Sequence, residues 1–224
     1  MGLASLTWLG HASFLIEAAD GFRLLTDPYD PEILGLRPIA ERADVVIRSS
    51  ADDRAHAWVD GLPGEPLVIT ATAPPEQDVR GLNLRTIPSR EGSDKPQPRD
   101  NAMYRFVIDG IEVAHFGDVG NRLSRSQLQQ LWGIDIALVP VGGPPTIPLP
   151  DLHAALAVLQ PKLVIPMHYR IPGAKPRMLP VTDFTAHYRP DQVIWAPTPT
   201  LALSRADLAG PMRLVVLPPR QIGG

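Results

Sequence analysis

The feature that most limits the fold is a change of rhythm half-way along the chain. Over the first half, short apolar runs alternate with turn-formers: LASLTWLG (3–10), ASFLIEA (12–18), FRLLTD (22–27), Val45–Ile47, LVITA (67–71) and LRTIP (84–88). Asp20-Gly21 and Asp109-Gly110 carry hairpin-turn chemistry, the second between AMYRFVI (102–108) and IEVAHFGD (111–118). The second half interleaves strand-like runs, IDIALVPV (134–141) and KLVIPMHY (162–169), with helical patterns. Ser124 and Gln127 make a capping box ahead of an apolar face at Leu128, Leu131 and Trp132. Leu152, Leu156 and Leu159 mark a second helix, and a third is expected near Val181–Tyr188. VIWA (193–196), TLALS (200–204) and RLVVL (213–217) close the chain as strands. Strand runs first and strand–helix alternation afterwards predict an α/β protein, with sheets packed together and helices outside.

Composition narrows the function. A length of 224 residues suits one domain spanning 1–224. A net charge of −3 gives no electrostatic case for nucleic acid. No apolar stretch reaches bilayer-spanning length, and the first residues lack the basic start of a signal peptide. The absence of Cys removes disulfides, thiolate ligands and cysteine nucleophiles together, and a cytoplasmic protein is expected. The 26 Pro are scattered through joints between apolar runs, which predicts rigid loops.

Several polar residues stand where apolar runs end: His11, Asp27, His115, Asp118 and His168. A lone buried His is more often a satisfied packing residue than a ligand. Five such residues at strand ends point instead to one shared cleft. The stretch Val45–Trp58, VVIRSSADDRAHAW, is a buried strand running into a polar turn that should deliver side chains to the same edge. Residues 55–60 read as a short helix within it. The polar loop Arg90–Asp100 and the run PPTIPLP (144–150) are expected to border the pocket mouth.

In order along the chain, TWLGHASFLIE (7–17), LLTDPYDP (24–31), ADVVIRSS (43–50), VAHFGDVG (113–120), ALVPVGG (137–143) and LVIPMHYR (163–170) resemble the metallo-β-lactamase superfamily, in particular its small bacterial metal-dependent hydrolases. The resemblance implies a four-layer αββα sandwich with a metal site along one edge of the sheets. It also implies two divalent metals, about 4 Å apart, that activate water between them. The family draws its ligands from a His-x-His-x-Asp-His motif after a strand, a later His, a bridging Asp and a final His. His168 matches the final His and Asp118 the bridging Asp.

The other positions do not match. Anchored on Ala43–Val46, the motif falls on Ser50, Asp52, Arg54 and Ala55; slid by one residue, it falls on Ala51, Asp53, Ala55 and His56. The later His falls in IPSREG (87–92), with Glu91 or Arg90 nearest. Asp52, His56 and Glu91 are thus the candidate substitute ligands. His11, Asp27 and His115 are expected beside or behind the ligands. Arg54 is expected to stand in for a metal charge by pairing with Asp118 and Asp52.

Three readings compete. The favoured one keeps the fold without the two-metal site or the standard hydrolase activity, leaving a metal-free binding or non-catalytic relative open to a small-molecule ligand. The alternative is a hydrolase with a single or rearranged site, in which Asp118, His168 and some of Asp52, His56 and Glu91 hold one zinc or manganese. A nucleic-acid enzyme ranks last, because the acidic balance opposes it.

Overall fold

The computed structural model describes residues 4–92 and 99–220. Its strands are β1 (Ala4–Gly10), β2 (Ser13–Glu17), β3 (Arg23–Thr26), β4 (Val45–Ile47), β5 (Leu67–Ile69), β6 (Glu76–Val79), β7 (Leu82–Glu91), β8 (Arg99–Ile108), β9 (Ile111–His115), β10 (Ile136–Pro140), β11 (Leu163–Met167), β12 (Val193–Trp195), β13 (Thr200–Leu203) and β14 (Arg213–Val216). The α-helices are α1 (Pro31–Leu34), α2 (Arg125–Gln130), α3 (Leu149–Leu159) and α4 (Val181–Thr185). Among the described residues, no helix is long and apolar enough to cross a membrane.

The strands form a six-stranded sheet, β13-β1-β2-β3-β4-β5, and an eight-stranded sheet, β12-β14-β11-β10-β9-β8-β7-β6. Within the first, β3, β4 and β5 run parallel; within the second, β9, β10, β11, β14 and β12 do. Parallel strands need long crossovers, and α3 and α4 lie in those that follow β10 and β11. Strands covered on both faces read as continuous apolar runs, and every residue of β4, β10 and β11 is buried. One apolar cluster, including Trp8, Phe14, Leu25, Val46, Phe106, Leu138 and Ile165, fills the space between the layers. Two sheets packed together with helices outside are what the pattern of runs predicted, and the arrangement is the αββα sandwich that the resemblance implied.

The local departures have identifiable causes. Residues 55–60 form a turn followed by irregular chain, not a helix: the Asp53 carboxylate accepts the Ala55 N–H at 2.9 Å, a side-chain bond that competes with helical continuation. Trp132 does not face the core. It is 64% exposed, because α2 stops at Gln130 and leaves Leu131 as the buried anchor. The third helix is shorter than expected, ending at Thr185. β7 runs on to Glu91 and β8 begins at Arg99, so strand pairing takes up both ends of the polar loop expected over 90–100. Residues 93–98 of that loop lie outside the described residues. Helix α1 arises inside the Pro-rich stretch after β3. Asp30 caps it by accepting the Glu32 N–H, Pro31 begins it, and Gly35 ends it at φ 68°.

Candidate metal centre

The carboxyl ends of β3, β4, β9, β10 and β11 meet at one edge of the sandwich, together with the β1–β2 turn. The ends of β3, β4, β9 and β11 deliver polar side chains there through tight, specific contacts, and β10 brings the small residues Gly142 and Gly143. Beyond β3, Asp27 bonds both the N–H and the hydroxyl of Ser49 at 2.6 Å, holding the chain that leaves β4. Burial pushes the Asp27 carboxyl upward, opposed by His115, His56 and the Ser49 bonds. Beyond β9, a Cβ at Gly117 would lie 2.4 Å from Ser49 Cβ, so only glycine lets the turn carrying Asp118 approach the β4 loop. Beyond β11, His168 adopts φ 52° and its N–H donates to the His11 carbonyl at 2.8 Å. His11 itself sits at φ 52° in the β1–β2 turn.

Three imidazoles converge there. Ring centroids are 4.0 Å apart for His11 and His168, 4.7 Å for His11 and His56, and 5.3 Å for His56 and His168. Asp118 reaches two of them, with Oδ1 3.2 Å from His168 Nε2 and Oδ2 3.9 Å from His56 Nδ1. Asp53 lies 3.2 Å from His56 Nδ1. His11, His56 and His168 offer ligand atoms within 4.8 Å of one another, and so do Asp53, His56 and Asp118. Three ring nitrogens of this cluster are buried with no hydrogen-bond partner, His11 Nε2, His56 Nε2 and His168 Nδ1, and Asp118 Oδ1 has its 3.2 Å ion contact with His168 but no aligned hydrogen bond. Leaving such groups unpaired costs about 1–3 kcal/mol each. Nitrogen and carboxylate donors suit a first-row transition cation. The residues therefore fit a metal ion.

Charge is divided unevenly among them. Burial acts to lower His56, but the carboxylates of Asp118, Asp53 and Asp27 overcome it and raise the imidazole to about 10. Burial together with the charges of His168 and His56 holds His11 well below its ordinary value. Burial also lowers His168, against the pull of Asp118. Glu91 is pushed up to about 7 by burial and by Asp118 and Asp53. For Asp53, burial acts upward, but bonding to His56 dominates and keeps its carboxyl below the usual range.

The sequence-derived candidates separate clearly. His56, Asp118, His168 and His11 are together, and Glu91 is buried close enough to feel their charges. Asp52 is exposed and outside both groups. His115 has both ring nitrogens engaged, with the Ala12 carbonyl at 2.9 Å and the Gly117 N–H at 3.1 Å, so it braces the turns behind the cluster. Asp53 was not among the candidates. It belongs to the frame slid by one residue, and the β4 loop selects that frame because the Ser50 hydroxyl accepts the Asp53 N–H and turns the chain inward.

Arg54 needs a correction. It pairs with Asp30, not with Asp118 or Asp52, and its guanidinium lies 4.8 Å from the centroid of the Trp58 ring. The buried Asp30 carboxylate caps α1, so it draws the arginine away from the cluster. Arg54→Ala is expected to destabilise the fold by about 1 kcal/mol, a modest effect because the arginine is half-exposed. Metal affinity should not change. Denaturant unfolding with an unchanged midpoint would contradict this assignment.

The sequence profile of the beta-lactamase superfamily domain matches residues 5–168. The chain belongs to the metallo-β-lactamase superfamily. A relative from Thermococcus onnurineus, a UPF0173 metal-dependent hydrolase, is 27% identical over 194 residues, which is 75% of this chain and 85% of that protein. Among solved structures, a Thermotoga maritima protein assigned to the Zn-dependent hydrolases of the metallo-β-lactamase superfamily superposes with a TM-score of 0.79. It is 29% identical, and the match covers 97% of this chain and 100% of the other. A metallo hydrolase from Ignicoccus hospitalis shares the metallo-β-lactamase fold at a TM-score of 0.63 and 20% identity, over 98% of this chain and 97% of its own.

Proposed function

We propose that this chain is a hydrolase of small molecules that works with one divalent cation, zinc or manganese, in place of the superfamily's two. The observation that carries this reading is the set of three buried imidazole nitrogens with no hydrogen-bond partner, His11 Nε2, His56 Nε2 and His168 Nδ1, gathered around the Asp118 carboxylate. A cluster serving only to pack would be expected to satisfy its polar groups internally, as His115 does. The favoured reading from sequence, a metal-free binding protein, leaves these atoms without a role. The names of the relatives, metal-dependent and Zn-dependent hydrolases, point the same way.

Reduction to one cation follows from the β4 loop, where Ala51 and Ala55 offer no donor and Arg54 is turned to Asp30. His11, His56, His168 and Asp118 would hold the cation, with Asp53 bonded to His56. A divalent cation supplies Lewis-acid activation of water and of a substrate oxygen. The chain's own residues do the rest. Asp118 orients His168 and His56 from between them. Glu91, near neutrality, is the carboxyl able to hold or release a proton beside the cluster at physiological pH.

Two measurements test this. Tag-free, cation-loaded protein is expected to cleave at least one of a generic phosphodiester, a lactone and a β-lactam, with loss on chelation and recovery on metal addition. All three remaining intact would end the hydrolase reading. The second concerns pH. His56 holds a proton up to about pH 10, so cation binding below that pH must displace it. Affinity should therefore rise about tenfold per pH unit between about pH 6.5 and 8. A pH-independent affinity would remove His56 from the ligand set.

A further inference from the structure

Trp8 is wholly buried, and its indole N–H donates to the backbone carbonyl of His11 at 3.0 Å. That carbonyl is unusual in also accepting the His168 N–H at 2.8 Å. One oxygen therefore ties together the backbones of two cluster histidines, one from the six-stranded sheet and one from the eight-stranded sheet. Both stand at φ 52°, a left-handed conformation that costs a side-chain-bearing residue about 1–2 kcal/mol and persists only when its surroundings enforce it.

The indole is itself anchored. Its ring lies 4.9 Å from that of Tyr169, the residue after His168, and the Tyr169 hydroxyl donates to the Leu217 carbonyl at 3.0 Å. Between Trp8 and Gly10 the pairing of β1 with β2 shifts register. Such a bulge re-aims the chain just before the turn that carries His11. Phenylalanine would fill most of the same volume, but it could not make the bond.

We infer that Trp8 is a positioning residue: by fixing the shared His11 carbonyl it sets the separation of the His11 and His168 rings. The inference rests on the one-cation reading for its consequence, but the geometry can be tested without metal. In metal-free Trp8→Phe, the imidazole resonances of His11 and His168 are expected to move, while those of His153 and His187, in their own cluster on α3 and after α4, stay in place. Zinc affinity, measured by chelator competition, is expected to fall about tenfold, the effect of one ordinary buried hydrogen bond. Trp132→Phe, at an exposed site, should leave both readouts at wild-type values.

A merely structural role would lower the melting temperature without moving the two histidine resonances, and unmoved resonances overturn the assignment whatever happens to affinity. Wild-type protein that takes up no zinc defeats the metal reading, and the resonances alone then decide the role of Trp8. Should Trp8→Phe not fold, hydrogen exchange on the wild-type protein decides. The Trp8 indole N–H must exchange as slowly as the His168 amide, and rapid exchange rules the brace out.

Discussion

Asp118→Asn is expected to weaken divalent-cation binding by about a thousandfold. The substitution keeps the shape of the side chain and removes one negative charge from the centre of the cluster, where Asp118 lies 3.2 Å from His168 and 3.9 Å from His56. A unit charge about 4 Å from a divalent cation is worth about 8 kcal/mol at an effective dielectric near 20. Part of this is returned because the His56 proton that competes with the cation is held less tightly without Asp118, and a balance of about 4 kcal/mol, or about three decades in affinity, is expected. The fold should tolerate the change better than the site does. Asp118 heads the carboxylates that keep the His56 imidazole protonated, and without it the ring can release its proton instead of remaining a buried cation. The measurement is a dissociation constant from chelator competition, alongside the melting temperature with and without metal. An affinity within tenfold of wild type would show that Asp118 is not a ligand.

Gly142→Ala should be among the most damaging single-methyl changes near the site, since its Cβ would make the shortest approach to backbone. Gly142 follows β10, and a Cβ placed there would lie 2.1 Å from the His168 carbonyl oxygen and 3.1 Å from Met178 Cβ. Neither backbone can yield easily. The Val141 N–H is bonded to the Met167 carbonyl at 3.0 Å, and the Gly142 carbonyl accepts the Leu179 N–H at 2.9 Å. Overpacking of this kind costs about 3 kcal/mol, or about 10 °C in melting temperature for a chain of this size. Because the clash falls on His168, metal affinity should drop as well. Gly133→Ala is the comparison: nothing lies within 4 Å of its Cβ, and its φ of 85° makes the cost one of backbone strain alone, about 1 kcal/mol. Equal losses at the two glycines would contradict the close approach at Gly142.

The sandwich was legible because buried parallel strands leave a blunt signature. Val45–Ile47, Ile136–Pro140 and Leu163–Met167 are continuous apolar runs, and each proved wholly buried. β6 was not legible, since EQDV is polar and its first three residues are exposed or half-buried, held by pairing with β7 rather than by its own pattern. At the site, His168 and Asp118 could be placed because His168 directly follows one core strand and Asp118 stands in the tight turn after another. Asp53 could not, because it is the turn geometry of the β4 loop, not residue spacing, that decides which of two adjacent aspartates points inward. Ser50 and Asp53 accept backbone N–H groups three and two residues onward, respectively, and that Ser-x-x-Asp-x-Ala pattern was the available signal. The partner of Arg54 was out of reach for a different reason. Asp30 is 24 residues away in the chain, and only the fold of α1 against the β4 loop brings the two together.

The most direct test of the account is metal stoichiometry. Tag-free protein would be equilibrated with zinc or manganese, freed of excess cation and assayed by elemental analysis beside the His56→Ala and His168→Ala variants. One cation per chain, lost in both variants, is the expected result. Two per chain would restore the superfamily's two-metal chemistry, and none would leave the buried His11, His56, His168 and Asp118 cluster as a feature of packing alone.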